Sequence, residues 1–239
     1  RRAQGQRLRT PAELADRLYL DHAATTPVLP AVRAAMADGL ARWANPSSPH
    51  AEGRGARAAL EDARNRCKAA LDWDGDVLFT SGATEAITIA LKRVDCDAVL
   101  TSSVEHDAVH RVVPDAYIVP VGSGGLIAHD ALVGRLGALG ARRPLVAIQS
   151  VNNETGVQQP LGVLAGVVRA TNGILFVDAS QSAGKQAVSH GDLIAISAHK
   201  FGGPPGMGAL LVRDLSVLAA SGGQERGYRP GTENLPGAM

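Results

Sequence analysis

Aromatic side chains make up only 3% of this 239-residue chain, so aliphatic residues must fill whatever core it builds. Cysteine is scarcer still. Cys67 and Cys96 lie far apart with no CxxC partner, which excludes a disulfide framework and a cysteine zinc site, and points to a reducing, cytoplasmic setting. Neither sign of charge predominates: 24 Lys+Arg against 23 Asp+Glu leave a formal net charge of +1. There is thus no electrostatic reason to expect a nucleic-acid or anionic-membrane partner. No stretch approaches the ~18 consecutive apolar residues of a membrane span. The basic start RRAQGQRLRTPAEL lacks the apolar segment of a secretory signal, and with no initiator Met the natural chain is expected to start earlier. No Walker A sequence occurs. GRGARA (53–58) formally matches GxGxxA but follows a polar loop, not a strand, so the dinucleotide-binding reading fails its own context.

What is present is a globular composition, 45% hydrophobic and 20% charged, long enough for one large α/β domain or two small ones. After a polar arm (1–17), Pro30 and AVRAAMADGLARW (31–43) predict a first helix, and NPSSPHAEGRG (45–55) predicts a loop. ARAALEDARNRCKAAL (56–71) has a helical pattern that carries Cys67. From DVLFTSG (76–82) and ATEAITIALKRV (83–94) onward, short apolar runs alternate with helical spacing as far as about residue 214. Near-continuous apolar strands separated by helices predict a three-layer α/β/α fold with a mostly parallel sheet covered on both faces.

Ligands of such sheets sit beyond the strand carboxyl ends, where the polar segments SGATEA, VNNETG, DASQS and SAHKFGG stand. If the strands share one direction, Thr84, Asn153, Asp178, Gln181, Ser197, His199 and Lys200 converge, a set suited to an anionic, aromatic, carbonyl-bearing cofactor. SGATEA places a helix start where free N–H groups can hold a phosphate, or where Thr84 or Ser81 simply caps the helix. Asp178 at a buried strand end needs a cation or several donors; a protonated heterocyclic nitrogen would serve, as would an Arg or a helix start. Lys200 follows an apolar strand directly, which favours a partly desolvated amine able to form a Schiff base; a surface lysine is the plainer alternative. His106 and His110, four apart, would share a helix face, but with no third ligand in view a metal is not expected.

Taken together, LYLDHAATTP, NPSSPHAEGRGAR, VLFTSGATEA, VEHDAV, SVNNETGVQQP, VDASQSAGK, SAHKFGGPPGMGAL and GGQERGYRPGTEN resemble, in order and context, the cysteine desulfurases of the class-V aminotransferase group. The resemblance covers about residues 18–239. It implies the large domain of a type I pyridoxal-phosphate (PLP) enzyme that lacks its C-terminal small domain. It implies transfer of sulfur from L-cysteine, through an enzyme persulfide, to an acceptor protein, leaving L-alanine, with iron-sulfur cluster assembly as the expected destination. A selenocysteine lyase, a small amino-acid aminotransferase and a non-catalytic PLP-binding protein are the alternatives. Lys200 would hold PLP covalently, Asp178 would pair with its ring nitrogen, Gln181 with its phenolate oxygen, and Asn153 would lie near ring and substrate. His106 would stack on the ring and shuttle protons. Ala83, Thr84, Ser197 and His199 would hold the phosphate together with Thr232 of a homodimer partner, and Arg229 would help shape that shared region. Neither Cys67 nor Cys96 stands in the context of the family's persulfide cysteine. Pro230 and a shortened stretch between Lys185 and Asp192 depart from the family pattern.

Overall fold

A computed structural model describes residues 18–140, 142–188 and 190–239. The expected N-terminal arm lies outside them. In chain order the elements are α1 (Pro30–Ala41), α2 (Ala51–Ala70), β1 (Asp76–Thr80), α3 (Ala83–Arg93), β2 (Ala98–Ser102), α4 (Asp107–Val112) and β3 (Tyr117–Val119). There follow α5 (His129–Leu139), β4 (Pro144–Gln149), α6 (Leu161–Arg169), β5 (Ile174–Asp178), β6 (Leu193–Ser197), β7 (Gly208–Val212) and α7 (Leu235–Ala238).

The strands form one sheet in the order β1-β7-β6-β5-β4-β2-β3. Strand β7 is antiparallel to both its neighbours, while the remaining pairs are parallel, so β7 alone is reversed. Successive side chains of a strand face opposite ways, and both faces are apolar here. Val77, Leu175, Val177, Ile194 and Ile196 join one core with Leu60 of α2, Leu132 and Leu136 of α5, and Leu164 and Val168 of α6. Leu78, Ile174, Phe176, Leu193 and Ala195 join the other with Ile87 and Ala90 of α3 and Val109 of α4. The expected three-layer fold is therefore present. No helix among the described residues is long and apolar enough to cross a membrane.

Two local expectations need correction. Helix α2 starts five residues inside the expected loop, because the His50 side chain caps it, accepting from Gly53 N at 3.2 Å, and Gly53 is buried against Ser48. His106 and His110 do not share a helix face: α4 begins at Asp107, and His106 is its N-cap, with Nδ1 accepting from Ala108 N at 3.1 Å. Near the first helix, Leu29, Leu40 and Trp43 are exposed.

The reversal of β7 matters for the site. It brings the amino end of β7 beside the carboxyl ends of β1 and β6, with Gly208 opposite both Thr80 and Ser197. A Cβ on Gly208 would stand 2.6 Å from Gly82 Cα, so glycine is required for this close approach.

Candidate active site

A cavity of about 420 Å³ opens at this end of the sheet. Of the ten residues expected to bind the cofactor, Ala83, Thr84, His106, Asn153, Asp178, Gln181, Ser197, His199 and Lys200 line it. Thr232 does not; it is exposed and outside the cavity. Arg229 also lies outside the lining, and its Nε donates to Glu85 Oε1 at 2.9 Å.

The wall at the start of α3 has the character of an anion site. The N-cap is Gly82, in a φ of 149° that favours glycine, and no side chain caps the helix. Neither Thr84 nor Ser81 takes the capping place considered above. The first N–H groups of the helix thus lack intrahelical partners and face the positive end of the dipole. The hydroxyls of Thr84 and Ser197 add donors that no described residue occupies.

Asp178 forms the floor. It is buried at the end of β5, and Oδ1 accepts from Ser180 N at 2.9 Å and Ser180 Oγ at 2.6 Å. No described residue donates to Oδ2, and no described Arg pairs with it. A buried carboxylate with one oxygen held and the other turned to a cavity is matched by a protonated ring nitrogen. Ser180 escaped the sequence reading, although the D-x-S spacing of an Asx-type turn was there to find it.

Lys200 ends a short 3-10 turn, Ala198–Lys200, after β6. Burial lowers its ammonium below the ordinary lysine range, with Lys185 assisting, against the opposing pull of Asp178 and Asp21. Its Nζ donates to the Ala23 carbonyl, which also accepts from Gln181 Nε2 at 2.9 Å. The segment 23–26 is pinned here by Thr26, whose N–H donates to His199 O at 2.7 Å and whose hydroxyl donates to Lys200 O at 2.9 Å. Burial and the Lys200 charge lower His199, whose Nδ1 lies 3.2 Å from Thr25 Oγ1. The Nδ1 of His106 is occupied by the α4 cap, leaving Nε2 as the ring nitrogen outside that bond. Asn153 donates to Glu154 at 2.6 Å, while Asn152 organises the loop by accepting from Glu154 N and Thr155 N and donating to Val104 O.

Beneath this wall lies Glu105, buried, with Oε1 accepting from Ser102 Oγ at 2.5 Å and Oε2 unpartnered. Burial pushes its carboxyl up to about 8; the Ser102 bond opposes the shift and the Asp178 charge adds to it. The folded protein therefore binds a proton that the unfolded chain, with a carboxyl near 4.5, releases. Stability from this group is present at low pH and falls as pH rises from about 4.5 to about 8. Glu105→Gln is expected to raise the melting temperature relative to wild type at pH 8, with the gain vanishing towards pH 5, as thermal melts across that range would read.

The thiols stand apart. Burial pushes Cys67 up to about 11 and also raises Cys96, and neither lines the cavity. No cluster of three His, Cys, Asp or Glu side chains able to hold a metal occurs among the described residues.

The fold and the cavity together define a three-layer α/β protein whose site, at the strand ends, pairs an anion-binding helix start with a buried carboxylate and a half-buried amine. The aminotransferase class-V model matches residues 18–229, and the chain belongs to that family. It is 36% identical to a cysteine desulfurase of Cereibacter sphaeroides, over 94% of this chain and 63% of the relative. It is 34% identical to a selenocysteine lyase of Bos taurus, over 99% of this chain and 65% of the relative. A NifS-like protein from Rickettsia africae superposes with a TM-score of 0.83 at 29% identity, over 92% of this chain and 66% of that one. The chain thus spans less than two thirds of the length of these curated relatives.

Proposed function

We propose that residues 18–239 are the cofactor-binding large domain of a PLP-dependent cysteine desulfurase, which takes sulfur from L-cysteine and leaves L-alanine. The observation that carries this reading is the meeting of the Lys200 amine, the open Asp178 oxygen and the uncapped start of α3 in one cavity. This donor set fits PLP: N–H groups and hydroxyls for its phosphate, a carboxylate for its ring nitrogen, and an amine for its aldehyde.

When bound, PLP supplies an electron sink for negative charge developing at the substrate Cα. Asp178 Oδ2 holds the proton on the ring nitrogen that keeps the sink effective. Lys200 Nζ, with its ammonium pKa lowered by burial, is neutral more readily than a surface lysine, and so is able to take the α-proton. His106 Nε2 is the exchangeable site for a proton moving at the substrate sulfur. Gln181, on leaving the Ala23 carbonyl, donates to the phenolate oxygen, and Asn153 orients the carboxylate. The sulfur-accepting thiol is assigned to neither Cys67 nor Cys96, because both are raised in pKa and lie off the cavity.

A homodimer is part of the proposal. The exposure of Thr232, away from its own cavity, suits a residue that serves the phosphate of a second copy. Delivery to a protein acceptor for iron-sulfur cluster assembly, in the cytoplasm, completes the reading. The identity to a selenocysteine lyase over 99% of the chain favours that activity as the rival.

The test is titration of the purified chain with PLP, following the visible absorption band, with alanine release assayed from cysteine and from selenocysteine. A saturable band is expected; its absence in folded protein would overturn the cofactor assignment. Turnover of selenocysteine alone would favour the rival. Asp178→Asn is expected to bind PLP yet lose about 10²-fold in alanine release, measured with the longest natural form of the protein, since a neutral amide no longer stabilises the protonated ring.

A further inference from the structure

Next to the N–H groups of residues 82–84 stands a carboxylate that the cofactor reading leaves unused. Glu85 lines the cavity in the first turn of α3, where its Oε2 accepts from Ser81 N at 2.6 Å. A carboxylate held on Ser81 N, one residue before that turn, would, if left unpaired, repel an anion bound at the start of α3. Its Oε1, however, accepts from Arg229 Nε at 2.9 Å, with the two side chains only 29% and 20% exposed.

Arg229 is itself held from behind. The loop that bears it is tied to the end of α3 by Arg93, which donates to Tyr228 O at 2.7 Å, and to β1 by Glu225, which accepts from Phe79 N at 3.0 Å. The guanidinium therefore reaches Glu85 from an anchored backbone. Burial tends to raise the Glu85 carboxyl, but the Ser81 bonds and Arg229 outweigh it and hold Glu85 below the ordinary carboxylate range.

We propose that Arg229 is a positioning residue: by pairing with Glu85 it neutralises and fixes the carboxylate bordering residues 82–84, and so sets the affinity of that turn for the phosphate end of the cofactor. Arg229 touches no phosphate in this account and acts only through Glu85. The inference rests on the PLP reading above and adds a role for a pair of residues outside the donor set.

The test compares equilibrium binding of PLP with that of pyridoxal, which lacks the phosphate, by the full chain. Arg229→Ala is expected to weaken PLP by about tenfold while pyridoxal changes by less than about twofold. Adding Glu85→Gln to Arg229→Ala should restore PLP affinity, because the neutral amide still accepts from Ser81 N without repelling an anion. Arg229→Lys should retain most of the affinity. Equal losses for PLP and pyridoxal, or no rescue by Glu85→Gln, would mean a purely structural ion pair and overturn the proposal. Should Arg229→Ala fail to fold, Arg229→Gln takes its place with the same outcomes. Failure of the unsubstituted chain to bind PLP would instead remove the reading beneath it, a result the wild-type titration isolates.

Discussion

Lys200→Ala is expected to lose at least about 10³-fold in alanine release and to lack the visible band of the wild-type complex, while still retaining PLP at the phosphate end. The size of the effect follows from the two duties the geometry gives a single nitrogen. Nζ is the amine in the cavity that can attack an aldehyde, and its burial lowers the ammonium towards the neutral form that takes a proton. Removing it leaves the anion-binding turn, Ser197 and Asp178 untouched, so binding and chemistry separate. Spectrophotometric titration of Lys200→Ala beside wild type, followed by dialysis, reads the first. Alanine release by the longest natural form of the protein reads the second. A variant that keeps the band, or keeps more than a tenth of the alanine release, would move the reactive amine elsewhere; Lys185 would be the next lysine to examine.

The largest loss of stability is expected at a residue that does not line the cavity, at Glu225→Ala. The Glu225 side chain is fully buried, and Arg64 is 2% exposed. Arg64 Nη1 donates to Glu225 Oε2 at 3.0 Å and to the Val77 carbonyl, while Phe79 N donates to the same carboxylate at 3.0 Å. The guanidinium also lies over the Phe79 ring, 4.9 Å from its centre. Deleting Glu225 leaves the buried Arg64 guanidinium with only the half-exposed Glu61, 3.3 Å from its Nε, at a cost of about 3 kcal/mol, the low end for breaking a buried pair. For a chain of this length the melting temperature should fall by about 10 °C. Glu225→Gln, which keeps an acceptor for Phe79 N, should fall by less. A shift of under 2 °C for Glu225→Ala in calorimetry, roughly the value of a surface change, would show the pair to be energetically idle. The backbone raises the stakes: Glu225 and Arg226 both hold positive φ, 45° and 57°, conformations that buried contacts must maintain.

That contrast explains what could be read in the amino-acid sequence and what could not. The alternation of apolar strands with helices was legible because both faces of the sheet are covered, which demands unbroken runs such as ILFV and LIAI. The cavity was legible because polar residues directly after such runs have few reasons to be there, and nine named positions do line it. The reversal of β7 was not, since GALLV has the same pattern as its parallel neighbours and direction leaves no mark on a strand buried on both sides. Ala23 was invisible for another reason: its contribution is a backbone carbonyl, which every residue carries. Arg64 and Glu225 were illegible for the opposite reason. A charged residue on a charged helix, or in a Gly-rich loop, reads as solvated, and the pairing of Arg64 with Glu225, 161 positions away, leaves no trace in the sequence. The resemblance of the motifs supplied roles that periodicity alone left open.

The reversed strand also bears on how the chain assembles in time. Strand β1 is at the sheet edge and hydrogen-bonds only to β7, whose last residue, Val212, pairs with Asp76. As the chain leaves the ribosome, β2, β4, β5 and β6 can close onto one another in nearly sequential order, but β1 must wait until β7, more than 120 residues later, has been made. Such a distant closure is a slow, late step, because a long loop loses its freedom before any contact rewards it. Helix α2, which packs on the same face, waits with it. The anion-binding turn that follows β1 is therefore fixed late, and a nascent chain stalled before residue 208 would hold Lys200 while that turn lacks the strand that positions it.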